Sequence, residues 1–389
     1  MQTADQHIMA AFARLREGAL STDVVTGWTH DFYRYPARFS PSFAAAAVAA
    51  FSKPGDLVLD AFMGGATTLV EALAAGRRAV GCDLNSLSVF LARAKTTNLN
   101  ALDLESLDLW LRNIPERTCY RSVEPRVRLE EQNLRSPNFR AIKKAIELAL
   151  ISVKDLKSEG AQILARCIIL SAAQWALDGR YRWVSVIQFR DKLIELGHKM
   201  CKSAAEWSAG PDDRLPTIIH DSAENLLSYP PFAIGEKADL VVTSPPYPGV
   251  HVLYHRWQIA GRRETTLPYA IASSYDGQPG SFYTFADRRA IDSYFNKAEQ
   301  AYCGIRDAMK EDAFLVQLVS FANPQSQLPR FLRMLARIGF EELRPENPVT
   351  QKAIRRIWRR VPSRRWHATL KGALASSREV VLVHQRSAS

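Results

Sequence analysis

The stretch that decides the fold is DLVLDAFMGGATTLVEALAAGRRAVGCDLN, residues 56–85. An apolar run at 56–62 predicts a buried strand, and the glycine turn after it leads into a segment with helical spacing. A second strand is predicted at 77–85. Together these segments form a β-α-β unit, which places two parallel strands side by side with a helix across one face.

Five further apolar runs predict strands later in the chain, and helical segments separate several of them. Strands that alternate with helices are typical of an α/β fold with a doubly wound, mostly parallel sheet. We therefore expect a seven-stranded, Rossmann-like sheet. The five later strands are predicted at 217–222, 239–245, 313–320, 340–345 and 378–385.

A long segment with helical spacing separates the second predicted strand from the third. We expect an N-terminal helical segment at 1–30, the sheet domain at 31–100 and 215–389, and a helical insertion at 101–214. Apolar positions in the insertion recur at intervals of three and four, which indicates packing rather than chemistry.

The composition is that of an ordinary soluble globular protein, with 47% hydrophobic and 23% charged residues among 389. No stretch approaches the ~20 consecutive apolar residues of a membrane span, and the N-terminus lacks the apolar run of a signal peptide. We therefore expect a cytoplasmic protein with no membrane partner. The five cysteines form no CxxC pair and the eight histidines no HExxH motif, which argues against a disulfide framework and against a metal site.

The positive charge of the chain is concentrated in one segment. The net charge is +11, of which residues 344–371 carry +8 and the rest of the chain only +3. Trp358, Trp366 and His367 are interleaved with the basic residues of this segment. Such a pattern is typical of a surface that binds phosphates and stacks on bases. The alternative is a solvated basic face without a partner.

The glycine turn after the first strand is a candidate ligand loop. Gly64 and Gly65 let the backbone approach a ligand closely, and Thr67 and Thr68 open a helix whose free amides face the same crevice. Such glycines can also be purely steric. No GK[ST] follows them, so a phosphate-cradling site is not expected.

Asp83 supports a ligand role for this loop, because it ends the second strand about twenty residues beyond the glycines. An open α/β sheet places an acidic residue there against the hydroxyls of a ribose. Asp83 could equally cap the next helix, as could Asn85. The loop and Asp83 together indicate a cofactor that contains adenosine.

The fourth strand ends in TSPPY, residues 243–247. Ser244, Pro245 and Pro246 are predicted to form a rigid turn at the same edge of the sheet. A backbone carbonyl and the Ser244 oxygen would then be two acceptors for an amino group that must lose a proton. Tyr247 offers a flat face for an extruded base.

These motifs resemble those of the S-adenosylmethionine-dependent amino-methyltransferases of DNA, which make N4-methylcytosine or N6-methyladenine. TSPPY matches the catalytic (D/N/S)PPY corner of that family, and LDAFMGGATT (59–68) matches its cofactor loop, D-x-F-x-G-x-G-T-T. YRYPARFSP (33–41) matches the upstream segment that holds the methionine end of the cofactor. GCDLN (81–85) and Asp221 occupy the positions of the next two motifs.

The resemblance departs from the family pattern at Ala66, which replaces the second glycine of the loop. We expect alanine to fit there with a negative φ and cofactor binding to survive.

The resemblance implies S-adenosyl-L-methionine as the cofactor and direct transfer of its methyl group to an exocyclic nitrogen. Asp60, Gly64 and Thr67 would line its amino-acid end, Asp83 its ribose, and Asp221 or its neighbour the adenine. The residues implied in cofactor binding are Tyr35, Pro36, Ala37, Phe39, Asp60, Phe62, Gly64, Gly65, Thr67, Thr68, Asp83, Asn85 and Asp221. The catalytic residues implied are Ser244, Pro245, Pro246 and Tyr247.

SPPY is commoner among the N4-cytosine members of that family and DPPY among the N6-adenine members. We therefore expect methylation of cytosine N4, with adenine N6 as the alternative. Methylation of cytosine C5 is disfavoured, because no cysteine stands in a Pro-Cys setting that would supply the nucleophile.

Double-stranded DNA is the partner that the resemblance implies. Either the helical insertion or the basic segment could read the target sequence. The expected contacts are Arg355, Arg356, Arg359, Arg360, Arg364 and Arg365, with His255 and Arg256 behind the catalytic corner. We expect a bacterial, nucleoid-associated enzyme, and any restriction or defence partner would be a separate chain. Rival interpretations are an amino-methyltransferase of RNA or of protein glutamine, and a non-catalytic DNA-binding protein.

Overall fold

The structure is a computed structural model that describes most of the chain. The described residues are 2–22, 25–35, 40–119, 137–179, 184–207, 215–248, 257–259, 263–274, 291–346, 353–361 and 377–387.

A mixed sheet of eight strands forms the centre of the fold. Seven strands follow the order β3-β2-β1-β4-β7-β10-β8, and β9 pairs with another part of β10. Strands β1 to β4 and β7 pair in parallel, whereas β10 is antiparallel to β7, β8 and β9. The strands are β1 (Leu57–Asp60), β2 (Arg78–Cys82), β3 (Thr217–Ile219), β4 (Ala238–Thr243), β5 (Trp257–Ile259), β6 (Arg263–Thr265), β7 (Met309–Val319), β8 (Phe340–Glu342), β9 (Trp358–Arg360) and β10 (Arg378–Arg386).

Helices cover both faces of this sheet, which explains why β1 and most of β4 are buried along their length. The local sequence sets where one of them starts: the helix that begins at Pro41 is capped by the side chain of Ser40. The helices are α1 (Gln2–Leu20), α2 (Pro41–Phe51), α3 (Thr67–Ala74), α4 (Ser86–Thr96), α5 (Ala101–Arg117), α6 (Pro137–Ser152), α7 (Glu159–Leu177), α8 (Val186–Glu206), α9 (Leu267–Ala272), α10 (Ile291–Ala308) and α11 (Pro324–Arg337).

The predicted fold class is confirmed by this topology, and all seven predicted strands are present. The sequence patterns missed β9 and the β5-β6 hairpin, each of which contains three-residue strands. The strand predicted at 313–320 starts earlier than expected, since residues 309–312 already belong to β7. The charged sequence MKED is more typical of a solvated helix end than of a strand, and three of its residues are exposed.

The helices of the predicted insertion share one apolar core with the sheet domain. Leu87 and Leu91 of α4 belong to the same buried cluster as Leu111 of α5 and Ile168 of α7. Among the described residues, α7 alone is long and apolar enough to cross a membrane, and 67% of it is buried inside the protein. The expectation that no stretch approaches a span is therefore corrected for α7, which packs here as a core helix. The division into domains stays a prediction.

Candidate cofactor and catalytic site

The predicted site residues meet at the carboxyl ends of four adjacent strands. In the order β3-β2-β1-β4, these ends carry Asp221, Asp83, Asp60 and Ser244. Neighbouring strands lie about 4.8 Å apart, so the row spans roughly 14 Å. Strand order reverses between β1 and β4, which is where open α/β sheets bind ligands.

The loop after β1 is held against the end of β2 by its own backbone. The Met63 amide donates to the Cys82 carbonyl at 3.0 Å, and the Gly64 amide donates to Asp83 Oδ2 at 2.8 Å. Gly81 makes room for this packing, because a Cβ there would lie 2.5 Å from the Met63 sulfur. The loop is therefore fixed before any ligand arrives.

Ala66 departs from the expectation of a negative φ. Its φ is 60° and its ψ 27°, in the left-handed region that disfavours alanine by roughly 1–2 kcal/mol. The turn needs this conformation because the Ala66 amide donates back to the Met63 carbonyl at 2.7 Å just before α3 begins. The buried Lys95 ammonium donates to the preceding carbonyl, that of Gly65, at 2.7 Å.

Asp60 is a buried carboxylate with one unsatisfied oxygen. Its Oδ1 accepts from Thr243 Oγ1 at 2.7 Å and from the Phe62 amide at 3.2 Å. Its Oδ2 has no hydrogen-bond partner among the described residues. Burial raises the pKa of Asp60 to about 6, although the Thr243 and Phe62 hydrogen bonds lower it. The unsatisfied oxygen fits a cationic donor such as the ammonium group of an amino acid.

Asp83 holds the loop and the next helix at once. Besides the Gly64 amide, it accepts the Asn85 amide at 2.8 Å through Oδ1. Burial raises the pKa of Asp83, and these two amides oppose that rise. Because each carboxylate oxygen can accept more than one hydrogen bond, both retain capacity for ribose hydroxyls. The cap of α4 is Asn85, whose side chain accepts the Leu87 amide.

Tyr35 and Asn85 lie beside the loop, and both are buried. Asn85 Oδ1 accepts from the Tyr269 hydroxyl at 2.9 Å, and its Nδ2 donates to the Tyr35 hydroxyl at 3.3 Å. The Tyr35 ring supports Gly64, where a Cβ would come within 3.1 Å of it. These two residues therefore support the loop, and their contact with the cofactor stays a prediction.

The remaining predicted cofactor residues divide into buried and accessible members. Thr67, Thr68 and Gly65 are buried, and Thr68 Oγ1 donates to the Val242 carbonyl at 3.1 Å. Phe62 is partly accessible. Pro36, Ala37 and Phe39, with Arg38 between them, lie outside the described residues.

Asp221 is partly accessible beyond β3. Tyr229 donates to its Oδ2 at 2.8 Å, and the Ser222 amide and Asn225 Nδ2 donate to its Oδ1. Burial tends to raise the pKa of Asp221, but these hydrogen bonds outweigh it and lower the pKa. The carboxylate is thus oriented as an acceptor at the rim.

The turn after β4 carries the catalytic candidates. Ser244 Oγ lies 3.0 Å from the Leu318 carbonyl and 2.8 Å from the Tyr247 hydroxyl. The Pro246 carbonyl accepts from the Tyr294 hydroxyl at 2.9 Å, whereas none of the described residues donates to the Pro245 carbonyl. Tyr247 is 3% exposed, so a base can stack on its ring only if neighbouring side chains move aside.

The basic candidates separate into paired and exposed residues. Arg356 forms a two-pronged ion pair with Glu342, and Arg359 pairs with Glu379. Their charges are already neutralised inside the protein, unlike those of Arg355 and Arg360, whose side chains are exposed. Four further basic candidates, Arg364, Arg365, His255 and Arg256, lie outside the described residues.

Sequence reasoning missed three residues that shape the site: Thr243, Lys95 and Glu379. Thr243 stands inside the quoted TSPPY motif, and Lys95 is a lone charge on the apolar face of α4. Glu379 is the second residue of β10, and because that strand is antiparallel its first residues lie beside the carboxyl ends of the parallel strands. An acidic residue directly before the apolar run VVLV of the last strand was the available signal.

Comparison with known families agrees with this geometry. Residues 18–92 match the N6/N4 methyltransferase family model described as DNA methylase. The match supports the family of S-adenosylmethionine-dependent amino-methyltransferases, and it confirms the predicted cofactor. No curated protein sequence matches the chain.

Several solved structures resemble the fold distantly. TrmN from Thermus thermophilus has a TM-score of 0.32 at 10% identity, over 90% of this chain and 49% of its own. The rRNA methyltransferase aviRa from Streptomyces viridochromogenes has a TM-score of 0.33 at 13% identity, over 96% of this chain and 94% of its own. The chain thus spans about half the length of TrmN. Likenesses this slight indicate no substrate.

Proposed function

We propose that this methyltransferase transfers a methyl group from S-adenosylmethionine to the exocyclic amino nitrogen of a base in double-stranded DNA, and that this base is cytosine, methylated at N4. The SPPY turn carries the proposal, because Ser244 and the Pro245 carbonyl stand at the end of β4, beside the loop after β1. Adenine N6 is the alternative target.

The chain offers a matching set of groups for each part of the cofactor. Asp60 Oδ2 would accept the ammonium group, Asp83 the ribose hydroxyls, and Asp221 the adenine amino group. When bound, the cofactor supplies an electrophilic methyl group on sulfur. The residues of this chain bind it in one orientation, since the loop is already fixed by Cys82 and Asp83.

The SPPY turn would then orient the target base. Ser244 Oγ and the Pro245 carbonyl would accept the two N–H groups of the amine, which aims the nitrogen lone pair at the methyl group. The new N–C bond would replace the S–C bond, and the extra proton on the nitrogen would pass to solvent water beside these acceptors. Alignment and polarisation of the amine would account for catalysis, and no covalent enzyme intermediate is needed.

The exposed basic residues support nucleic acid as the substrate. Arg355 and Arg360 stand with Trp358 on or beside β9, and all three are exposed. Guanidinium groups next to an exposed indole suit contacts to phosphates and bases. A chromosomal substrate would place the enzyme at the bacterial nucleoid in the cytoplasm, and a nuclease or defence partner would be a separate chain.

The test is methyl transfer from labelled S-adenosylmethionine to unmethylated genomic DNA and, in parallel, to total RNA, with nucleosides identified by mass spectrometry. N4-methyldeoxycytidine is the expected product, and N6-methyldeoxyadenosine would retain the mechanism with the alternative base. Ser244→Ala and Tyr247→Ala should lose transfer and keep cofactor binding. Methylated nucleosides only in RNA, or none at all, would overturn the DNA assignment.

A further inference from the structure

A chain of four polar side chains runs from the catalytic turn into the protein. The Tyr247 hydroxyl contacts Ser244 Oγ at 2.8 Å and donates to Glu379 Oε1 at 2.9 Å. Glu379 Oε2 in turn accepts from Arg359 Nε at 2.8 Å and lies 2.7 Å from its Nη2. We refer to Ser244, Tyr247, Glu379 and Arg359 as the tyrosine tether.

We propose that Glu379 and Arg359 are positioning residues for methyl transfer, which hold the Tyr247 hydroxyl and through it orient the hydroxyl of Ser244. This inference rests on the proposed function, since it assigns a role in the reaction at the SPPY turn. It extends the site from that turn to the antiparallel strand β10 and to the edge strand β9.

Each hydroxyl group has only one proton to donate, and this limit explains how the tether orients the hydroxyl of Ser244. A carboxylate paired with a guanidinium only accepts hydrogen bonds, so the Tyr247 proton points to Glu379. The Tyr247 oxygen then receives rather than donates on its other side. The Ser244 proton is therefore directed to Tyr247 or to the Leu318 carbonyl, both within the protein. Its lone pairs stay available for an N–H of the target amine.

Burial keeps the tether in one arrangement. The Glu379 and Arg359 side chains are 3% and 13% exposed, so water competes little for their hydrogen bonds. A buried ion pair often adds no more stability than an apolar pair of similar size. Stability alone therefore does not account for a charged pair at this place, whereas control of a catalytic hydroxyl does.

The tether also connects the catalytic turn to the exposed basic residues. Side chains alternate along a strand, and in β9 Arg359 is partly buried while Trp358 and Arg360 are exposed. The strand that would contact nucleic acid on one face thus holds Glu379 with the other. The same short strand would thus present Trp358 and Arg360 to the nucleic acid and, through Arg359 and Glu379, orient Ser244.

The experiment is a double-mutant cycle in kcat with Tyr247→Phe and Glu379→Gln. Tyr247→Phe removes the hydrogen bonds of the hydroxyl to Ser244 and Glu379, and Glu379→Gln removes the negative charge that receives the Tyr247 proton, each with little change in shape. We expect each single variant to lower kcat roughly 10²-fold, the loss typical of misplaced reacting groups. The dissociation constant for the cofactor and the KM for the nucleic acid should stay within about two-fold of wild type. The double variant should be no slower than the slower single variant, because both changes break one chain.

Glu342→Gln is the matched control. Glu342 is likewise a carboxylate paired with an arginine of the basic segment, and it contacts Arg356 through both of its oxygens, at 2.6 and 2.7 Å. Its kcat should equal that of wild type. If Glu379→Gln fails to fold, Tyr247→Phe decides the question, since normal kcat in that variant overturns the inference.

Two further results would count against the tether. Multiplicative losses in the cycle, or a loss of cofactor affinity that accounts for the lower rate, would make the role of Glu379 merely structural. In both cases methyl transfer by the wild-type enzyme would still support the proposed function. A wild-type enzyme that methylates neither DNA nor RNA would instead overturn the proposed function and the inference together.

Discussion

The unsatisfied carboxylate of Asp60 should make stability fall as pH rises. Burial raises its pKa from 3.8 to about 6, and each pKa unit corresponds to about 1.36 kcal/mol. Between these values the folded protein binds the proton and the unfolded chain does not. The free energy of unfolding therefore decreases as pH rises through this window. From Asp60 alone, the loss between pH 4 and pH 8 should be about 2 kcal/mol, because the unfolded carboxyl group is already partly ionised at pH 4.

Asp60→Asn isolates this contribution, because asparagine fills the same space and does not ionise. Urea denaturation of both proteins between pH 4 and pH 8 measures the difference in unfolding free energy at each pH. That difference should shift by about 2 kcal/mol in favour of the variant as pH rises. Asp292→Asn is the control, since that side chain is 82% exposed. A difference that does not vary with pH would refute the argument.

The same carboxylate links pH to cofactor binding. An ammonium group at Oδ2 favours ionised Asp60, so ligand affinity should fall below pH 6 by up to about ten-fold per pH unit. Calorimetry with S-adenosylhomocysteine, which keeps the ammonium group and lacks the sulfonium charge, measures this without turnover. If the affinity of the wild-type protein for this ligand does not change between pH 5 and pH 7, the ammonium group does not bind at Asp60 Oδ2.

Three other parts of the molecule give further tests. Arg360→Ala should reduce the slope of log affinity for DNA against log salt by about 0.9, while Arg337→Ala, remote from β9, should leave it unchanged in a fluorescence titration. Gly81→Ala should cost about 1–3 kcal/mol in urea denaturation and weaken cofactor binding, because the new Cβ meets Met63. His384 is buried with its pKa lowered to about 4, so from this ring alone acidification from pH 7 to pH 4 should cost about 3 kcal/mol of unfolding free energy, opposite in sign to the contribution of Asp60. In urea denaturation, the difference in unfolding free energy between wild type and His384→Gln should change by this amount over that range.

The strands and the motif positions could be predicted because each depends on local sequence. Buried parallel strands appear in the sequence as short apolar runs. The turn after β1 contains glycines, whose backbone conformation is permissive, and the turn after β4 contains prolines, whose φ angle is restricted. The tyrosine tether could not be predicted in the same way. Tyr247 and Glu379 are 132 positions apart, and only the antiparallel direction of β10 brings them together.

The charges of the basic segment illustrate the same limit. Sequence shows how many arginines the segment contains, but not which of them face the interior. Arg356 and Arg359 find acidic partners on β8 and β10, whereas Arg360 stays exposed. Pairing across strands is decided by register, and a one-residue shift would have reversed which arginine turned inward.

Ala66 shows why a glycine position can accept alanine. The left-handed conformation costs alanine about 1–2 kcal/mol. Burial of its methyl group returns about 0.8 kcal/mol, and the smaller entropy of the unfolded chain returns about 0.4–1 kcal/mol. Ala66→Gly should therefore change the unfolding free energy by less than about 1 kcal/mol. Ala72→Gly, at a buried right-handed position within α3, should cost about 2 kcal/mol. Equal losses in urea denaturation would mean that the backbone at Ala66 is not left-handed, and the cofactor loop would need a different turn.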